Sequence, residues 1–149
     1  MDDAVTPKAL PSYRTCFFCG REGFLRLFYD GNEVYADFVA EKRFEGFHGI
    51  MHGGLVTGIL DEVMWWRLFV GEGVVGVTWR LDVEFRKPIV SGNRYRAVSR
   101  EVAFKRKVYA VKGFIEDEEG VPCASSKGLY VKRRDIGRED MLKAMDLSH

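Results

Sequence analysis

Leu55-Val56-Thr57-Gly58-Ile59-Leu60-Asp61-Glu62-Val63-Met64-Trp65-Trp66-Arg67-Leu68-Phe69-Val70 is the stretch on which the fold turns. Eleven of its sixteen residues are Leu, Val, Ile, Met, Trp or Phe. It has no proline and no strict alternation, and it is too long for an ordinary strand. It therefore reads as a helix, which Gly71 and Gly73 end. A helix that is apolar nearly all round is buried on nearly all sides. One sheet covers only part of such a helix. A partner subunit would cover the rest, so a homodimer or homotetramer is expected.

Outward from the helix, the next segment is a strand. Val75, Val77, Trp79, Leu81, Val83 and Phe85 point one way, and Thr78, Arg80, Asp82, Glu84 and Arg86 the other. Period two predicts a long strand with one buried face, and Pro88 ends it. Tyr95 to Phe104, Val108 to Glu116 and Cys123 to Lys132 read as three further strands. Their short connections imply an antiparallel meander. Ahead of the helix, Leu25 to Tyr29 and Val34 to Val39 flank the turn signal Asp30-Gly31-Asn32 and predict a hairpin. The result is an α+β domain over residues 16–135, one long helix wrapped by an antiparallel sheet of about six strands. Residues 1–15 read as an irregular arm, with Pro7 and Pro11 breaking any helix. Residues 136–149 read as a tail or short helix, over Arg138 to Leu147.

Several function classes are excluded at this level. The 149 residues fit one domain. Their formal net charge of +1, with basic residues spread among acids, offers no field for nucleic acid. The longest apolar run is interrupted by Asp61, Glu62 and Arg67, and it is shorter than the ~20 residues that span a bilayer. The acidic start lacks a secretory signal's apolar segment. A cytoplasmic protein without membrane or nucleic-acid partners is expected. Cys16-Phe17-Phe18-Cys19 has the spacing of half a zinc site, but the chain has three cysteines and no second such pair. Structural zinc takes four protein ligands. Two packed thiols and no metal are therefore expected, with a metal shared between subunits left open.

Asp61 and Glu62 carry the chemistry. No Lys or Arg lies one turn before them, and Arg67 is poorly spaced for an i,i+4 pair. At least one carboxylate is expected to face a cleft, as a candidate general base. Successive helical residues differ by about 100°, so both cannot face the same site. The bland alternative has both emerging at a wet subunit interface. Gly53-Gly54 at the helix start could present free N–H groups to a developing oxyanion, with His52 beside them.

His52-Gly53-Gly54-Leu55-Val56-Thr57-Gly58-Ile59-Leu60-Asp61-Glu62-Val63-Met64 resembles the signature of hot-dog-fold acyl-CoA thioesterases of the phenylacetate-degradation type. Leu81 to Gly92 resembles the strand and turn that follow in them, and Cys16 to Gly20 an N-terminal element of one branch. The resemblance implies a hot-dog fold in which the sheet wraps the helix, with active sites at a dimer interface. It implies hydrolysis of acyl-CoA to free acid and coenzyme A without a cofactor. Asp61 would be base or nucleophile, the Gly54 N–H would polarise the thioester carbonyl, His52 would support that loop, and Thr78 would hold the attacking water. Asp61 of one subunit would act with Gly54 of the other. Gly53 falls in the same substrate-binding turn. Some relatives carry an amide ahead of His-Gly-Gly; here His48 stands in that loop. Arg86 and Lys87 are candidates for the nucleotide phosphates, their bland reading being a solvated basic pair. Met64 and Trp65 fall near the Asp61 face and are candidates for lining an acyl tunnel, against plain core packing. The competing readings are a non-catalytic acyl-CoA-binding module and a hot-dog enoyl-CoA hydratase or dehydratase.

Overall fold

The computed structural model describes residues 6–146. In chain order the elements are β1 (Lys8–Ala9), β2 (Ser12–Tyr13), β3 (Phe28–Tyr29), β4 (Val34–Val39), α1 (Gly53–Glu72), β5 (Gly76–Phe85), β6 (Arg94–Lys105), β7 (Val108–Glu116), β8 (Pro122–Lys132), α2 (Arg138–Lys143) and β9 (Met145–Asp146). Seven strands form one antiparallel sheet in the order β1-β3-β4-β6-β7-β8-β5. The sheet curves around α1, which is the hot-dog arrangement. Among the described residues, no helix is long and apolar enough to cross a membrane.

The helix forms where its apolar run predicts and extends two residues beyond it at each end. His52 is the N-cap, and its Nδ1 accepts the Gly54 N–H at 2.8 Å. Gly73 closes the other end at φ 68°, a left-handed position that glycine occupies without a Cβ penalty, and donates to the Phe69 carbonyl. Val56, Ile59, Leu60, Val63, Met64, Trp66, Leu68 and Phe69 are all buried along α1. Removing each such side chain from water stabilises the fold by about 1.5–3 kcal/mol. The sheet is bare where the helix comes closest. A Cβ on Gly113 would lie 2.9 Å from Met64 Cγ, and one on Gly128 would lie 3.1 Å from Met64 Cε.

Three sequence expectations need correction. Residues 8–13 are not irregular: β1 pairs with β3 at the sheet edge, and β2 pairs with β9. The first hairpin strand shrinks from Leu25–Tyr29 to Phe28–Tyr29, because Leu25 and Leu27 are drawn into the core. The long strand β5 does not keep one buried face. Its register with β8 shifts between Thr78 and Arg80, leaving Trp79 as the extra residue of a bulge. Val77, Trp79 and Phe85 are half exposed or more (50%, 61% and 58%), while Leu81 and Val83 pack on the core. The expected terminal helix forms as α2 but stops at Lys143, because Met145–Asp146 pairs with β2 as β9; Leu147 and residues 1–5 of the expected arm lie outside the described residues.

The outer side of α1 is covered by this chain's own N-terminal segment, not left wholly for a partner. Phe18 sits in the notch at Gly58, where a Cβ would lie 2.1 Å from the Phe18 ring. Alanine in place of a helical glycine ordinarily stabilises by about 1 kcal/mol. Here Gly58→Ala is expected to reverse that sign, because the ring must move out. A loss of about 1–3 kcal/mol in chemical denaturation is the expected result.

Candidate functional site

The bulge in β5 turns Thr78 towards α1, directly across from Tyr130 of β8. Both hydroxyls converge on one oxygen of Asp61. Thr78 Oγ1 donates to Oδ1 at 3.0 Å and Tyr130 Oη donates to the same atom at 2.8 Å. No Lys or Arg is paired with Asp61 among the described residues, as its place in the helix implied. The carboxylate is thus aimed by two neutral donors, with its second oxygen making no hydrogen bond among the described residues. Burial first, and then the neighbouring Asp61 charge, push the Tyr130 phenol well above its usual range, so it remains a donor.

Beside Asp61 lies a cavity of about 350 Å³, bordered by Glu62, Trp65, Thr78, Cys16, Cys19 and Met141 among others. Trp65 is fixed there: its Nε1 donates to the Gly76 carbonyl at 2.9 Å, and its ring stacks on Phe69. Met64 does not reach this cavity. It is fully buried over Gly113 and Gly128.

Glu62 borders the same cavity from another side, against the expectation that the two acids could not share a site. Their directions do differ. Asp61 points to the sheet, while Glu62 meets the N-terminal segment, where its Oε1 lies 3.2 Å from Cys16 Sγ. Burial, then the charge of Cys16, raise the Glu62 carboxyl to about 8. The hydrogen bond with Cys19 is the first cause that draws Cys16 down to about 5, and the same bond pushes Cys19 up. Reading the thiols as simply packed missed the carboxylate that meets them.

The start of α1 presents a second feature. The Gly54 N–H is engaged by the His52 imidazole, so it is not the free donor that the sequence motif suggests. The Gly53 N–H precedes the first intrahelical bond and has no partner among the described residues. The Phe85 ring lies beside it, 3.5 Å from where a Cβ would stand. Arg86 and Lys87 follow Phe85 and are therefore near the helix start, not the Asp61 cavity. Arg86 pairs with Glu84 at 3.3 Å and Lys87 with Asp117 at 3.4 Å, all at the surface. The His48 side chain is 95% exposed and stands 3.8 Å from Glu45.

Tyr130 was missed by sequence reasoning. It lies 69 positions from Asp61, and only its place opposite Thr78 in the sheet could have revealed it.

A family model described as "Thioesterase superfamily" matches residues 48–124, just over half of the 149. An uncharacterized protein of Schizosaccharomyces pombe is 27% identical over 103 residues, covering 66% of this chain and 59% of that protein. A crystal structure of a thioesterase superfamily protein superposes with a TM-score of 0.66 at 23% identity, over 72% of this chain and 53% of that one. A Streptococcus mutans UA159 protein bound to acetyl CoA superposes at 0.63 and 16% identity, over 68% of this chain and 82% of that one. This chain spans less than two thirds of the first two relatives' lengths. The family match covers all of α1 with its capping histidine and Asp61, together with β5, β6 and β7, and the chain belongs to the thioesterase superfamily.

Proposed function

We propose that the chain is an acyl-CoA thioesterase in which Asp61 is the general base. The observation that carries this is a carboxylate in a mostly apolar helix, aimed by Thr78 and Tyr130 at a cavity and left without a cation. Water held near Thr78 gives a proton to the free Asp61 oxygen and attacks the thioester carbonyl. The carbonyl oxygen takes up the electron pair and accepts a hydrogen bond from a helix N-terminal N–H. As the intermediate collapses, the C–S bond breaks, coenzyme A leaves as thiolate, and the proton returns to sulfur. The acyl group occupies the cavity against Trp65. Arg86 and Lys87, with His48 in the preceding loop, contact the nucleotide end. The acetyl CoA bound by the Streptococcus mutans relative supports this choice of substrate class.

The oxyanion donor in this proposal is Gly53, not Gly54, since only the former N–H is free among the described residues. Gly53 and Asp61 are eight residues apart on one helix, about 12 Å at the helical rise. That is too far for both to act on one carbonyl, so the complete site takes Gly53 from a second copy. The edge strand β5, ten residues long with Val77 and Trp79 exposed, is suited to pairing with its counterpart.

Gly53→Pro tests the donor with little structural cost. Proline is tolerated at the first helical position, and His52 already has the extended ψ of 130° that a following proline demands. The expected result is a fall in kcat of about 100- to 1,000-fold with the helix content unchanged. Co-expressing Gly53→Pro with Asp61→Asn then reports on sharing. A site built from two copies is restored in half of the mixed dimers' sites, giving roughly a quarter of native activity from random pairing. A site built within one chain shows no recovery. The parent assay is thiol release from a panel of short, medium, long and phenylacetyl CoA thioesters. Tight binding without turnover across that panel would replace the hydrolase reading with the binding module.

A further inference from the structure

Cys16 and Cys19 are held against α1 by the residues between and after them. Phe18 fills the Gly58 notch, which lays the turn across the helix at the level of Glu62. The turn itself is tight. Gly20 N–H donates to the Cys16 carbonyl at 2.9 Å, and a Cβ on Gly20 would lie 2.3 Å from that oxygen. Cys19 N–H donates to Cys16 Sγ at 3.4 Å, a contact that favours a thiolate there. Cys16 Sγ, Cys19 Sγ and a Glu62 carboxylate oxygen lie within 4.8 Å of one another.

We infer that Cys16, Cys19 and Glu62 form a three-ligand site for a thiophilic divalent cation of the zinc type, with its fourth position open to the cavity that Asp61 borders. Tetrahedral zinc with Zn–S bonds of about 2.3 Å places two sulfurs about 3.8 Å apart, so small side-chain rotations bring the trio to bonding distance. Two thiolates and one carboxylate are the mixed soft and hard donors that zinc accepts. The trio also meets no competing protein cation among the described residues. Glu62 is mostly buried, and no Lys or Arg pairs with it among the described residues. Arg133 reaches the same cavity but is engaged by both oxygens of Asp135. A bound cation would hold the carboxylate ionised, where burial otherwise favours its protonated form. A Cys16–Cys19 disulfide would leave the Glu62 carboxyl without its sulfur donor. The open fourth position follows from the cavity, whose border includes all three ligands together with Asp61. The site stands whatever reaction Asp61 performs, and its test does not depend on turnover.

The test is cobalt substitution in the full, reduced chain after chelator treatment. Titration with Co²⁺ is expected to produce a thiolate-to-cobalt charge-transfer band and tetrahedral visible bands, saturating at one metal per chain and bleached by Zn²⁺. Cys16→Ser with Cys19→Ser loses the charge-transfer band. Glu62→Gln keeps it and weakens binding by about tenfold or more. The inference is overturned if the reduced native chain gives no such band, or if the band is unchanged in the double serine variant. Mass-spectrometric mapping of a Cys16–Cys19 disulfide in freshly isolated protein that carries no zinc also overturns it. The native titration needs no variant to fold, and loss of thioester hydrolysis alone leaves its result untouched.

Discussion

Replacing Asp61 with Asn is expected to lower kcat for acyl-CoA hydrolysis by about 100- to 10,000-fold, the range that a positioned general base supplies. The substitution is close to isosteric. The carbonyl oxygen of the new amide can accept from Thr78 and Tyr130 as Oδ1 does now, so the helix and its packing should persist. What disappears is the atom that takes the proton from water. KM should change little, because the proposed acyl and nucleotide contacts are made by other residues. Steady-state thiol release, with circular dichroism and sedimentation as controls, measures this. Activity within a few-fold of native would remove Asp61 from the chemistry. Tyr130→Phe and Thr78→Val should each give a smaller loss, since either leaves one donor in place.

Met64→Ala should have the largest effect on stability. Met64 is fully buried between α1 and the bare backbone at Gly113 and Gly128. Those glycines cannot fill the space that alanine would leave, and neighbours relax only partly into such a void. A loss of about 2–5 kcal/mol is expected, lowering Tm by roughly 5–15 °C for a domain of this size. The same variant separates core from tunnel. A core residue leaves KM for long and short acyl thioesters in the same ratio, whereas an acyl contact shifts that ratio. Differential scanning calorimetry and the substrate panel together decide it. Trp65, which does border the cavity, is the residue expected to move the ratio when truncated.

The parts that were legible in the sequence are those with local causes. A sixteen-residue apolar run without proline can hardly be other than a helix, and His52-Gly53-Gly54 marks its start because capping involves residues two apart. β7 begins and ends where the sequence places it, at Val108 and Glu116. Asp61 stood out because nothing one turn away could pair with it. The errors have non-local causes. Period two assigned β5 one buried face, but a bulge is a property of two strands in register, and it appears only when β8 is laid beside β5. That single extra residue carries Thr78 from the outer face to the inner one. Helical spacing placed Met64 and Trp65 on either side of Asp61's direction and could not rank them. The choice was made by glycines 49 and 64 positions further along the chain, at 113 and 128, which open the sheet to Met64.

By itself, the sequence determined the helix, the longer strands and their antiparallel sense, the acid in the helix and the glycine turn that opens it. Each follows from interactions within a few residues, where spacing is geometry. Tertiary structure decided which atoms those residues meet. Tyr130 reaches Asp61 across 69 positions and Cys16 reaches Glu62 across 46. Such partnerships depend on strand register and on how a buried helix is rotated against its sheet. Those are set by the packing of the whole core, and no local pattern encodes them.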